Sequence, residues 1–128
     1  MRYDVKNLNI WKNSDNRRNR LSRCRVKEIR GAGFTVPVYM GEQLLNADIE
    51  SLNLSVRSYN CLRKAGWNTV GDVLNSIDCW DDLEKIKNLG KNSRIEIRDR
   101  IIFYQKTLLT EAEYAAYASR VRELNKLG

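Results

Sequence analysis

The sequence predicts an all-α fold, and three observations predict it. Capping residues stand directly ahead of runs with a helical apolar period, glycines follow those runs, and only one six-residue stretch has strand composition. The expected architecture is a compact bundle of four to five short helices, preceded by a basic N-terminal arm and followed by a C-terminal helix. The boundaries read from the sequence are 1–33 for the arm, 34–48 for an extended segment and a short helical turn, 49–109 for the compact domain, and 110–128 for a C-terminal amphipathic helix.

The elements follow in order. Gly31 and Gly33 break the chain after the arm, and Phe34-Thr-Val-Pro37-Val-Tyr39 reads as a short extended segment that Pro37 confines to a sheet edge or a linker. Glu42 to Asn46 can form a short helical turn, and Ile49, Leu52 and Leu54 supply apolar anchors. Ser55 is placed to cap a helix over Val56 to Ala65 that Gly66 ends in the left-handed conformation. On that helix Leu54, Cys61, Leu62 and Ala65 suit the buried side. Thr69 caps Val70 to Ile77, with Asp72 at the reciprocal position of a capping box. A further short helix runs from Trp80 to Ile86 or Lys87. The next starts within Lys91 to Ser93 and carries Ile95, Ile97, Ile101, Ile102, Tyr104 and Leu108, with Ser93 and Glu96 at capping-box spacing. Thr110 and Glu113 make another such box ahead of a stripe of Tyr114, Tyr117, Val121 and Leu124, which ordinary core packing explains.

Composition removes several function classes. The 128 residues contain no His, which excludes a Ser-His-Asp or Cys-His catalytic pair and any imidazole metal ligand. Cys24, Cys61 and Cys79 are odd in number and never form a Cys-x-x-Cys pair, so neither a disulfide framework nor a zinc site is encoded, and a reducing, cytoplasmic setting is expected. No apolar run approaches the roughly 20 residues of a membrane span, so no membrane partner is expected. Charge is informative because it is uneven. Residues 1–33 hold ten Lys/Arg and three Asp/Glu, a net +7, whereas residues 34–128 hold thirteen of each. Seven of the ten cations are Arg, among them Arg17, Arg18, Arg20, Arg23 and Arg25, interleaved with Asn and Ser. A planar bidentate donor suits phosphates, so this arm reads as a nucleic-acid contact ahead of a merely solvated tail, with an acidic protein partner as a further reading.

Two constellations carry a functional signal. Ile86-Lys-Asn-Leu-Gly90-Lys-Asn-Ser93 ends one helix and starts another around a Leu-Gly step, the form of a helix-hairpin-helix. Glycine there allows a sharp turn and lets a phosphate approach the N–H groups of the next helix start, with Lys91 and Ser93 adding a cation and a hydroxyl. The second is Arg57, Asn60 and Lys64, which recur at i, i+3 and i+7 on a face apart from the buried one. Arg and Asn are groove-reading types. Taken alone, such spacing is more often a solvated polar face.

Residues 51–101, SLNLSVRSYNCLRKAGWNTVGDVLN followed by LEKIKNLGKNSRIEIRDRI, resemble the C-terminal domain of the bacterial RNA polymerase α subunit. The matching pieces are L-x-L-S-V-R-S-x-N-C-L, a Gly-Asp turn between hydrophobic residues, and N-L-G-K-x-S-x-x-E-I. The resemblance implies a helix-hairpin-helix domain that docks in the minor groove of double-stranded DNA, prefers A·T-rich tracts and meets RNA polymerase or transcription factors. It makes Arg57 the principal minor-groove residue with Asn60 and Cys61 beside it. It places Gly90, Lys91 and Ser93 on the phosphate backbone and Glu96 near that surface. Asn92 stands where the family usually has a second basic residue, which implies weaker backbone contact. The Cys79-Trp-Asp-Asp82 stretch is about two residues longer than expected, which would reshape a turn away from the DNA. At this length the protein is expected to be a stand-alone relative in which the arm replaces tethering.

The expected function is therefore a transcription-associated DNA-binding protein, cytoplasmic or nucleoid-associated, with no cofactor and no metal. The alternative is an interaction module that engages polymerase or its regulators without DNA, through Asp78, Asp81, Asp82 and Glu84 or through the tyrosine helix. An enzyme is not expected. Phosphodiester cleavage normally needs clustered carboxylates for metal ions, and the cluster at 78–84 is better explained as a solvated helix start.

Overall fold

The structure, a computed structural model, describes residues 25–31 and 33–126. Among them the order is β1 (Val26–Gly31), β2 (Phe34–Tyr39), α1 (Glu42–Leu45), a 3-10 helix (Ile49–Leu52), α2 (Val56–Lys64), α3 (Val70–Ser76), a second 3-10 helix (Trp80–Lys85), α4 (Lys91–Leu108) and α5 (Glu111–Asn125). The all-α expectation is corrected: an antiparallel pair of strands belongs to the fold, which is mixed α and β.

The correction arises in residues read above as arm. Residues 26–31 form β1 and pair with β2 from Val26↔Tyr39 to Gly31↔Phe34. The inward side of β1 carries Lys27, Ile29 and Gly31, of which only Ile29 is a large, fully buried apolar residue. One such residue among charged neighbours leaves no alternating signal to read. Lys27 instead sends its ammonium to the carbonyls of Leu74, at 2.7 Å, and Ile77, while Arg25 donates to Asn75 Oδ1 at 3.0 Å. These acceptors lie at the C-terminal end of α3, where backbone carbonyls lack helical partners and a cation is favourable.

Pro37 sits in an edge strand, the first of its two expected settings. The free edge of β2 is closed by two side-chain amides. Asn125 of α5 accepts from the Thr35 N–H at 2.7 Å and donates to the Thr35 carbonyl at 2.8 Å. Gln105 of α4, only 2% exposed, accepts from the Tyr39 N–H at 2.7 Å and donates to the Pro37 carbonyl at 3.2 Å. Between those two N–H groups Pro37 has none to satisfy. Two helices thus stand in for a third strand, which explains how a proline is tolerated there.

Sheet and helices share one core, in which Ile29 and Val38 join Leu62, Leu74, Leu83 and Ile97. A Cβ on Gly31 would lie 2.8 Å from Trp80 Cβ, so the end of β1 rests directly on the second 3-10 helix. A Cβ on Gly71 would come within 2.7 Å of the Leu45 carbonyl, which sets α3 against α1 in the same way. Ser55 caps α2 by accepting from Ser58, Gly66 follows it at φ +88°, and Thr69 and Thr110 each form the predicted capping box. The Ser93–Glu96 box does not form. Helix α4 begins earlier, at Lys91 with Gly90 as N-cap, which leaves the Glu96 carboxylate for another partner.

Candidate nucleic-acid interface

Helix α2 presents Arg57, Asn60 and Lys64 to solvent, while Ser58 and Leu62 on its other side are buried. Cys61 and Leu54 are half-buried as packing residues, whereas Ala65, expected inside, is exposed. Arg57 is the second helical residue and so lies at the N-terminal end. Lys64 is two turns farther, about 10 Å along the axis at 1.5 Å per residue. Arg63 belongs to the packing instead: it donates to Tyr59 Oη at 2.9 Å and Asn68 Oδ1 at 2.7 Å and pairs with Asp48 at 2.8 Å.

The second constellation forms the start of α4. The sharp turn expected at Gly90 is made two residues earlier, by Asn88 at φ 67°. Gly90 itself has φ −77° and ψ 175°, extended backbone open to any residue, and a Cβ there would meet nothing within 4 Å. Leu89 is buried beneath the turn, and Arg94 Nη1 donates to its carbonyl at 3.3 Å. Helix α4 has no side-chain cap. Its first-turn N–H groups therefore point outward as the donors that a helix start leaves without internal partners.

Glu96 joins the two constellations. Its carboxylate accepts from the Ser55 N–H at 2.8 Å, the Ser55 hydroxyl at 2.9 Å and the buried Ser58 hydroxyl at 2.6 Å. Burial pushes the Glu96 carboxyl up, but the donors of Ser58 and Ser55, helped by Arg100, outweigh it and hold the group below the usual carboxylate range. One turn along α2, Cys61 Sγ contacts the Asn88 carbonyl at 3.6 Å. Residues 55–61 therefore lie alongside the stretch from Glu96 back to Asn88. This brings Arg57, Asn60, Cys61, Gly90, Lys91 and Ser93 to one end of the molecule, with Lys64 at its far margin.

Glu96 as a clamp was missed by sequence reasoning, which assigned it to Ser93. The usable signal was the pair Ser55 and Ser58, one of them buried and in need of an acceptor. Of the arm's candidate contacts, Arg25 is engaged at the end of α3, and Arg17, Arg18, Arg20 and Arg23 lie outside the described residues. In the acidic stretch, Asp82 accepts from the N–H groups of Asp78 at 2.8 Å and Cys79 at 3.1 Å, which hold its carboxyl below the usual range. Asp78, Asp81 and Glu84 are exposed. Among the described residues no group of three His, Cys, Asp or Glu side chains could hold a metal ion, and no helix is long and apolar enough to cross a membrane.

Fold and face together define a small mixed domain with two helix starts joined on one surface and a two-stranded sheet packed on the same core. Residues 40–101 match the family model for the C-terminal domain of the alpha chain of bacterial RNA polymerase. The protein is 43% identical over 72 residues to the DNA-directed RNA polymerase subunit alpha of Carboxydothermus hydrogenoformans, a match covering 56% of this chain and 22% of the relative. It is 45% identical over 60 residues to the subunits of Moorella thermoacetica and Bacillus velezensis, covering 47% of this chain and 18% of each. The match thus spans about a fifth of the length of these relatives. No solved structure matches it. The resemblance read from residues 51–101 is borne out.

Proposed function

We propose that the protein is transcription-associated and binds double-stranded DNA through the face joining the starts of α2 and α4. Arg57 enters the minor groove, whose narrow A·T-rich form has the negative potential that attracts a guanidinium. Asn60 and Cys61 follow along the groove, and the first turn of α4, with Gly90, Lys91 and Ser93, receives a phosphate in the manner of a helix-hairpin-helix. The arm's Arg residues add contacts that release counterions and carry no sequence information. RNA polymerase or a transcription factor is the expected protein partner, in the cytoplasm or on the nucleoid, and the role is one of binding rather than catalysis.

One observation carries this reading. The longest helix among the described residues starts with uncapped N–H donors behind a glycine that neither backbone conformation nor packing requires, and a half-buried carboxylate clamp fixes it beside Arg57. A face with outward donors, no Cβ in the way and two flanking cations suits a phosphate backbone.

The test is fluorescence anisotropy with an A·T-rich and a G·C-rich duplex across a salt series. Wild type is expected to prefer the A·T-rich duplex, and Arg57→Ala to lose about 1–3 kcal/mol together with that preference. Lys91→Ala should weaken both duplexes alike and lower the salt slope by about one. Binding that ignores sequence and survives Arg57→Ala would overturn the assignment and favour an interaction module.

A further inference from the structure

Away from the α2–α4 face, β2, the second half of α4 and α5 enclose an open groove of about 680 Å³. Its floor is apolar: Val36, Ile102, Tyr117, Ala118 and Val121 line it. Phe103 and Tyr114 border it at 59% and 43% exposure, the largest apolar surfaces at this end of the molecule. Its rim is basic. Arg100, Lys106 and Arg122 line it, all exposed, and none is within ion-pair distance of a carboxylate among the described residues. The one acidic residue on the rim, Asp99, is already paired with Arg98 at 2.9 Å.

We infer that this groove binds an acidic peptide segment of a partner protein, which sets aliphatic or aromatic anchors on the floor and carboxylates against Lys106, Arg122 and Arg100. Charge complementarity selects this occupant. The protein's own residues 1–24 carry seven Lys/Arg against two Asp/Glu, so that segment would meet the rim with like charge. A second copy would bring two basic rims together in a protein of net charge +7. Single-stranded nucleic acid has the right charge and Phe34, Phe103, Tyr114 and Tyr117 are aromatic, but Val36, Ile102, Ala118 and Val121 between them suit apolar side chains better than stacked bases. An apolar groove with a charged margin is the form in which short amphipathic segments are held.

Most of the groove lies beyond the DNA face, although Arg100 on its rim follows Glu96 by one turn and acts on that carboxyl. Phe103 follows Lys91 by twelve residues on one helix, about 18 Å of axial rise. Both sites can therefore be filled at once, and the inference stands whether or not the DNA reading does.

The experiment is a selection of displayed random peptides of about 16 residues on the full-length protein. Synthesised winners are then measured by anisotropy. Winners should be rich in Asp and Glu, with apolar residues at helical spacing. Their affinity should fall about tenfold or more in Phe103→Ala and in the double variant Lys106→Glu/Arg122→Glu, while Arg57→Ala leaves it unchanged. All the altered side chains are exposed, and circular dichroism establishes that the variants fold. Four results overturn the inference: no peptide is enriched, the winners are neutral or basic, they bind the charge-reversed variant undiminished, or oligothymidylate displaces them. Sedimentation showing a dimer that Phe103→Glu disperses would likewise overturn it by giving the groove to a second copy.

Discussion

The two ends of α4 are finished in opposite ways. At Lys91 the helix starts without a side-chain cap and keeps its donors outward, held against α2 by the Glu96 carboxylate. At its other end the helix is wrapped: Gln105 closes the edge of β2, and Ile102 and Phe103 face α5 across an apolar groove. The family match ends at Ile101, inside this helix, so the familiar domain holds the first half and elements outside the match hold the second. A single rigid helix thus carries a family surface and an added one.

That division predicts unequal consequences for damage at the two ends, and the largest falls at Gln105. Leucine there would leave the Tyr39 N–H and the Pro37 carbonyl without partners beneath a buried side chain. Each unsatisfied group costs roughly 1–3 kcal/mol, so Gln105→Leu should lower stability by about 2–6 kcal/mol in a urea titration. Below its melting range the variant should still bind DNA as wild type does. A loss of DNA binding as large as the loss of stability would break the comparison, because the two ends would then be one cooperative unit. Gly31→Val is the next test. Its Cβ would lie 2.8 Å from Trp80 Cβ, and the overpacking should cost about 1–3 kcal/mol.

Glu96→Ala acts at the other end and should reverse the pattern. Its three hydrogen bonds are partly exposed to solvent, so the stability loss should be modest, about 1 kcal/mol. DNA affinity should fall about tenfold, because Arg57 and Lys91 are no longer held in register. Glu96→Gln should fall between wild type and Glu96→Ala, since an amide oxygen still accepts from the Ser58 and Ser55 hydroxyls while its NH₂ cannot accept from the Ser55 N–H. Wild-type DNA affinity in both variants would show that the clamp has no part in binding.

How much of this was legible in the sequence depends on how far each residue's partner lies along the chain. Ser55, Thr69 and Thr110 bond three residues ahead, and the helices they cap were placed from the sequence. The face of Arg57, Asn60 and Lys64 follows from helical spacing alone. Strand β1 was hidden because Lys27 points inward, with its charge satisfied by carbonyls 47 and 50 positions away. Gln105 and Asn125 were read only as helix residues, since the strand edge they close lies 66 and 90 positions back. The turn before α4 was read around its glycine, yet Asn88 takes the left-handed step. That shifts the helix start, and with it the partner of Glu96.

The smallest predicted effect separates the two ends by pH. At the clamp, Glu96 is held below the ordinary carboxylate range, so its contribution is complete above the unfolded value of about 4.3 and is lost as pH falls through the lower folded value. At the groove the sign reverses. Burial, then the neighbouring Tyr114 and Tyr39, raise the Tyr117 hydroxyl to about 12. A tyrosine raised from an unfolded value of about 10 stabilises fully below that pH and loses its contribution as pH rises toward the folded value. Melting curves across pH should therefore decline in both directions. Tyr117→Phe should flatten only the alkaline limb, and Glu96→Gln should flatten only part of the acid limb, because Asp72 and Asp82, also held low by backbone N–H groups, remain. If Tyr117→Phe flattened the acid limb too, the two ends of α4 would be coupled through the helix, and the independence argued from their construction would fail.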